Sequence, residues 1–85
     1  MHYEIVIPRP VQRQLDSLPR ETRARILARL ALMKNDPRPR GSIKLRGHAN
    51  EYRIRVGDYR VRYEVRDAES VVLLLHCGHR KDAYR

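Results

Sequence analysis

The sequence predicts an α+β fold: an N-terminal strand, a two-helix hairpin, an antiparallel three-stranded meander and a short C-terminal tail. Two observations carry this. Apolar residues recur at helical spacing between Val11 and Met33 and alternate at strand spacing from Tyr52 onward. The punctuation agrees, with prolines dividing the first half and Gly57-Asp58 and Asp67-Ala68-Glu69-Ser70 dividing the second. A run of helices followed by a run of strands is the α+β pattern. The 85 residues are read as one domain, residues 1–85. A chain of this size buries only about 60% of its unfolded surface, so its core is thin.

His2 to Ile7 alternates as a short strand, with Ile5 and Ile7 on one face. Pro8 and Pro10 end it, and Pro10 suits a first helical turn, which needs no amide donor there. Val11, Leu15 and Leu18 follow at i, i+4 and i+7, one helical stripe. Pro19 separates this helix from one over residues 20–34, whose apolar stripe is Ile26, Leu27, Leu30 and Met33. Arg20, Arg23, Arg25 and Arg29 spread over its polar side. Prolines 37 and 39 forbid helix in the stretch that follows. The loop to about residue 50 holds Lys44-Leu45-Arg46-Gly47, a candidate short extended piece.

Tyr52-Arg53-Ile54-Arg55-Val56 alternates strictly, as does Tyr59 to Arg66. Gly57-Asp58 between them is a two-residue hairpin turn, with glycine supplying the positive φ that type I′ and II′ turns require. Such a turn fixes register. It sets Val56 opposite Tyr59, Arg55 opposite Arg60, Ile54 opposite Val61 and Arg53 opposite Arg62. Four arginines then share one face in directly facing pairs, while Tyr52, Ile54, Val56, Val61, Tyr63 and Val65 face the helices. Glu51 and Glu64 face each other one step further on, diagonal to Arg62 and Arg53, and are placed to soften the repulsion at that end. Like charges set directly opposite each other destabilise a sheet by roughly 0.2–1 kcal/mol per pair. Two readings follow: a solvated face whose long side chains splay apart, or a site awaiting a polyanion. Val71 to Cys77 reads as the buried last strand, broken by Gly78.

Composition bears on the choice. Nineteen Lys and Arg stand against ten Asp and Glu, a formal net charge of +9, and only Lys34, Lys44 and Lys81 are lysines. Arginine's planar fork of donors matches phosphate oxygens two at a time. A balance this basic points to nucleic acid. No apolar run approaches the roughly 20 residues of a membrane span, and no helix pairs a basic face with a bulky aromatic one, so no membrane role is expected. Cys77 is the single cysteine, which excludes an intrachain disulfide. With no basic segment leading into an apolar stretch at the start, the expected location is cytoplasmic. His2, His48 and His76 make no zinc spacing with Cys77, and no tight carboxylate cluster would hold Mg²⁺. No metal and no cofactor are therefore expected.

The stretches Leu45-Arg46-Gly47, Tyr52 to Val61, Gly78-His79-Arg80 and Tyr84, with Pro19 and the Asn35-Asp36-Pro37 helix end, carry a resemblance. The sequence resembles the RelE toxins of the RelE/ParE superfamily of toxin–antitoxin modules, essentially over the whole chain and in the same order. The resemblance implies a ribosome-dependent endoribonuclease that cuts mRNA in the A site without metal, the 2′-hydroxyl attacking the adjacent phosphorus. By matching motif, the catalytic set is Arg60, Arg80 and Tyr84. Arg60 and Arg80 hold and stabilise the phosphate; Tyr84 orients the substrate, stacks on a base or shares in proton transfer. RNA or phosphate binding falls to Arg53, Arg55, Arg62, Lys44, Arg46 and Lys81. Arg53 and Arg55 stand where family members often carry lysines, and arginine is a poor base because it is always protonated. His79, with an ordinary imidazole pKa near 6.5, is the expected proton exchanger.

The resemblance also implies partners: a cognate antitoxin in a higher-order hetero-oligomer, the ribosome and mRNA, and operator DNA only through the antitoxin. Two alternatives stay open. One is a ParE-type toxin that targets gyrase, although such chains typically lack the arginine-plus-tyrosine ending. The other is a catalytically weak RNA-binding or co-repressor member of the same fold.

Overall fold

Prolines set the helix starts. A computed structural model describes residues 2–79 and Lys81. In it strand β1 spans Glu4–Val6, and Pro8 in extended conformation precedes helix α1, Arg9–Asp16. Pro19, also extended, precedes helix α2, Arg20–Leu32. The rest of the chain is strand: β2 at Ile43–Lys44, β3 at Glu51–Val56, β4 at Tyr59–Arg66 and β5 at Val71–His79, with a 3-10 turn at Asp67–Glu69.

These strands form one five-stranded sheet in the order β1-β5-β4-β3-β2. The β3-β4-β5 meander is antiparallel, as the alternation predicts. Two features complete it. β1 pairs parallel with the first third of β5, Ile5 opposite Val72, and the two-residue β2 adds an edge beside β3. Only Gly57 of the hairpin turn has positive φ, at 60°, so of the two primed turns this one follows type II′.

The apolar faces of sheet and helices close on one core. Val11 and Leu15 of α1 and Ile26 and Leu30 of α2 pack, with Met33, against Ile54, Val56, Val61, Tyr63, Val65, Val72, Leu74 and Cys77. Leu27 departs from its expected place in the stripe. It is 44% exposed and, with Ile5, Ile7, Leu30, Ala31 and Lys34, lines a shallow apolar groove of about 260 Å³. The opposite sheet face carries no helix among the described residues.

Tyr63 is fully buried, stacks on Tyr52 at 6.0 Å between ring centroids, and donates its hydroxyl to the Pro37 carbonyl at 2.9 Å. Burial pushes that hydroxyl up to about 12. A polar cluster anchors the long loop at this end. Arg38 forks onto both Asp67 oxygens (2.7 and 3.2 Å) and donates Nε to the Tyr52 hydroxyl at 2.9 Å. Tyr3 donates to Asp67 Oδ1 at 2.6 Å. These donors, Arg38 first and Tyr3 second, hold the Asp67 carboxyl below its usual range.

Candidate nucleic-acid interface

The hairpin register is the one expected from its turn. Arg55 pairs with Arg60 and Arg53 with Arg62, with Ile54 opposite Val61 between them. Residues paired across a ladder share a face, so all four arginines project from the side away from the helices. Arg53, Arg60 and Arg62 are half-buried by their neighbours, and Arg55, near the hairpin tip, is exposed. Arg55 and Arg62 make no hydrogen bond or ion pair with any described residue, and Arg62 Nε is buried.

The two glutamates at the end of this face point their charge elsewhere. Glu51 Oε2 lies 2.9 Å from His48 Nδ1, and Glu64 is engaged by Arg66 Nε, whose guanidinium also lies 3.6 Å from Glu69. The expectation that they soften the arginine repulsion is therefore met less than their positions suggested. Each has a nearer partner, one across a short turn and one two residues along the same strand.

A break in β5 decides what joins the arginines. Val65 pairs with Val72 and Tyr63 with Leu74, but Arg62 pairs with His76, so Leu75 is an extra residue in a bulge. Beyond it the alternation is reversed. Cys77 turns into the core opposite Val61, while His76 and Gly78 fall on the arginine face, opposite Arg62 and Arg60. Burial raises the Cys77 thiol to about 11, which keeps it protonated at neutral pH. Its backbone N–H lies on the part of β5 that β1 does not reach, and donates to Gln14 Oε1 of α1 at 2.8 Å.

The same break corrects the expectation for His79. It pairs with Tyr59 and meets that ring edge-on at 5.6 Å, on the helix side of the sheet and on the opposite face from Arg60. Its Nδ1 accepts from the Lys81 backbone N–H at 3.3 Å. With Tyr59, Gln14, Ser17 and Leu18 it lines a groove of about 290 Å³ along the end of β5. Lys44 departs too: it pairs with Tyr52 and so lies on the helix side, while Ile43 takes the arginine side opposite Arg53. Arg46 and Lys81 are exposed, the former in the turn after β2. Arg80 and Tyr84 lie outside the described residues. The residue that sequence reasoning passed over is His76. It was weighed only as a zinc ligand, and unbroken alternation from Val72 and Leu74 would have put it in the core.

This sheet, helical on one side and arginine-lined on the other, places the molecule among the RelE/ParE-type toxins. The chain belongs to the family described as ParE toxin of type II toxin–antitoxin systems, whose profile matches residues 5–84, and within that superfamily it is a RelE-type toxin. The archaeal RelE–RelB complex from Pyrococcus horikoshii OT3 contains a chain 35% identical to it, with 98% of this chain and 100% of that one covered and a TM-score of 0.85. In the RelB–RelE complex from Methanococcus jannaschii the corresponding values are 26%, 93%, 94% and 0.78. For free E. coli RelE carrying two arginine-to-alanine substitutions they are 26%, 93%, 84% and 0.81.

Proposed function

We propose that this toxin is an mRNA endoribonuclease that acts on the ribosome, using the open sheet face as its RNA cradle. The observation that carries the reading is the facing pairs Arg55–Arg60 and Arg53–Arg62, four guanidinium groups on one side of a single hairpin. A phosphodiester set over them neutralises the cluster and accepts forked hydrogen bonds. Cleavage proceeds by attack of the RNA 2′-hydroxyl on phosphorus and departure of the 5′-oxygen. Positioned cations stabilise the charge that builds on the pentacovalent phosphate. Arg60, at the centre of the face, takes that role together with Arg80, while Arg53, Arg55 and Arg62 hold flanking phosphates. Tyr84 orients the substrate.

The solved complexes of RelE with RelB support a cognate antitoxin as the partner of this chain as well. The +9 charge makes an acidic antitoxin segment the natural occupant of the face, bound less well as salt rises. Residues 1–85 act as one domain in the cytoplasm, where ribosomes and mRNA are found.

The experiment is mapping of mRNA 5′ ends on translating ribosomes, for the native chain and for Arg60→Ala and Arg80→Ala. A-site cleavage that falls about 10²–10³-fold in each variant supports the reading. Native protein that leaves ribosomal mRNA intact refutes it. The matching profile, described by the ParE toxin, favours gyrase as the second target to assay. Loss of DNA supercoiling on addition of the native chain, with mRNA uncut, would establish that reading instead.

A further inference from the structure

The helix layer carries a charge that neither the core nor the sheet face requires. Its two helices hold six arginines, no lysine and only two carboxylates, Asp16 and Glu21. We propose that this layer is a second RNA surface, which grips the phosphate backbone of a double helix. That the duplex is ribosomal RNA rests on the nuclease reading above; the surface itself does not.

The shape of α2 suits such a grip. With Ile26 and Leu30 in the core, a period of about 3.6 residues per turn leaves Ala24 and Ala28 at the outer crest, and both are exposed. Arg20 and Arg23 run down one flank, and Arg25 and Arg29 down the other. Two contacts fix which flank is which. Arg23 Nη1 donates to the Asp16 carbonyl at 3.4 Å, so its flank faces α1. Arg25 Nη1 would lie 3.6 Å from a Cβ added at Gly57, so its flank faces the hairpin turn. Guanidinium groups thus border a low ridge of alanine, which lets a phosphate backbone approach closely.

The charges are uncompensated. None of the six arginines forms an ion pair with a described residue. Asp16 accepts from Gln12 Nε2 at 3.0 Å rather than from an arginine side chain. Arg9 and Arg13, like Arg25 and Arg29, stand at i and i+4, where like charges repel. Arg9 and Arg20 also open their helices, at the ends where the dipole disfavours cations. Helix stability alone selects against each of these placements, and a bound polyanion reverses the sign.

The kind of partner follows from what the layer lacks. Neither helix contains an aromatic residue, so there is no platform for the unstacked bases on which single-strand binding depends. Recognition falls to phosphates, which forked guanidinium groups match and which a duplex presents while its bases stay stacked. Double-stranded RNA is read largely in this way, by shape and backbone. The hairpin arginines lie on the other side of a molecule whose smallest extent is 25 Å, so a strand held there leaves the helix layer open. On the ribosome the toxin then holds mRNA on one side and ribosomal RNA on the other.

The test uses a labelled, mixed-sequence RNA duplex of about 16 base pairs, the span of a shape-reading RNA module. It is titrated by fluorescence anisotropy over a salt series. Ala28→Glu and Ala28→Lys change the charge of the ridge without touching an arginine, and both residues suit an exposed helix position. The slope of log affinity against log salt becomes shallower by about 0.9 with the acid and steeper by about 0.9 with the lysine, the share of one phosphate contact. A gain with Ala28→Lys cannot come from misfolding. A short single-stranded RNA binds both variants as it binds the native chain, and Arg55→Thr leaves duplex affinity unchanged. Duplex affinity indifferent to the charge at Ala28 overturns the proposal, even where the native chain cuts ribosomal mRNA. So does tighter binding of a DNA duplex of the same sequence, or a response to that charge seen only with the cognate antitoxin. A native chain that shows the duplex pattern yet cuts no ribosomal mRNA supports the surface and removes the nuclease reading alone.

Discussion

Replacing Arg55 by threonine should make the free protein more stable and a poorer RNA binder. Arg55 is exposed, makes no hydrogen bond or ion pair with any described residue, and faces Arg60 across the ladder. Two unit charges about 6 Å apart in water repel by about 0.7 kcal/mol, within the range measured for facing like charges. Threonine removes that term and suits a strand. At 4–8 °C per kcal/mol for a domain of this size, melting at low salt should rise by about 3–6 °C. At about 1 M salt the Debye length is near 3 Å and most of the gain should vanish. Binding of a short single-stranded RNA should weaken in the same variant. Its dependence on log salt should become shallower by about 0.7, the share of one phosphate contact. Thermal unfolding at two salt concentrations and fluorescence anisotropy over a salt series measure both. A variant that melts lower than the native chain at low salt would refute the repulsion argument. An unchanged salt slope would remove Arg55 from the RNA surface.

Tyr63→Phe leaves the Pro37 carbonyl without its 2.9 Å donor and should cost about 1–2 kcal/mol in denaturant unfolding. Because the folded Tyr63 value lies above the ordinary 10.0, its contribution is complete below pH 10 and fades as pH rises to about 12; the variant should lack that alkaline loss. Asp67 has the opposite sign. Its folded value is held below 3.8, so its contribution is complete above that and fades as pH falls further, and Asp67→Asn should flatten the acid limb of the stability curve. Ile54→Ala, at a fully buried position under both helices, should destabilise by about 2–5 kcal/mol in the same measurement. Cys77 should resist alkylation in the native chain at pH 8 and react on unfolding, since it is buried and its thiol titrates near 11.

The hairpin was legible residue by residue because its information is local. A two-residue turn leaves one register, and strict alternation then assigns every side chain a face, so the arginine pairs followed without coordinates. The helices were legible for a similar reason: proline marks their starts, and Val11, Leu15, Ile26, Leu30 and Met33 keep helical spacing. What stayed hidden depends on residues far apart in the chain. Nothing within Glu4–Val6 names Val71–Leu73 as its parallel partner. Arg38 reads as one more loop arginine, yet it joins Asp67 and Tyr52 from 29 and 14 positions away. Leu27 keeps the spacing of the α2 stripe but lies at its margin, where the sheet no longer covers it.

The bulge is where local reading fails with the largest consequence for the arginine face. Val71 to Leu75 are all apolar, so this stretch has no alternation by which a slipped residue could be noticed. The physical drive for the slip lies in the residues beyond it. Continued from Leu74 without interruption, the strand would bury His76, leave Cys77 outside and turn Gly78 inward. One extra residue at Leu75 instead buries the small apolar thiol opposite Val61 and spares the core an imidazole. The exchange locally disrupts the ladder, and bulges are over-represented where a side chain must be re-aimed. Here the re-aimed side chain is the imidazole opposite Arg62, and the vacant Cα of Gly78 gives it room beside Arg60. Core packing and the composition of the arginine face thus depend on the same inserted residue, which is why a sequence pattern that described the hairpin well could not show that His76 shares the arginine face and His79 does not.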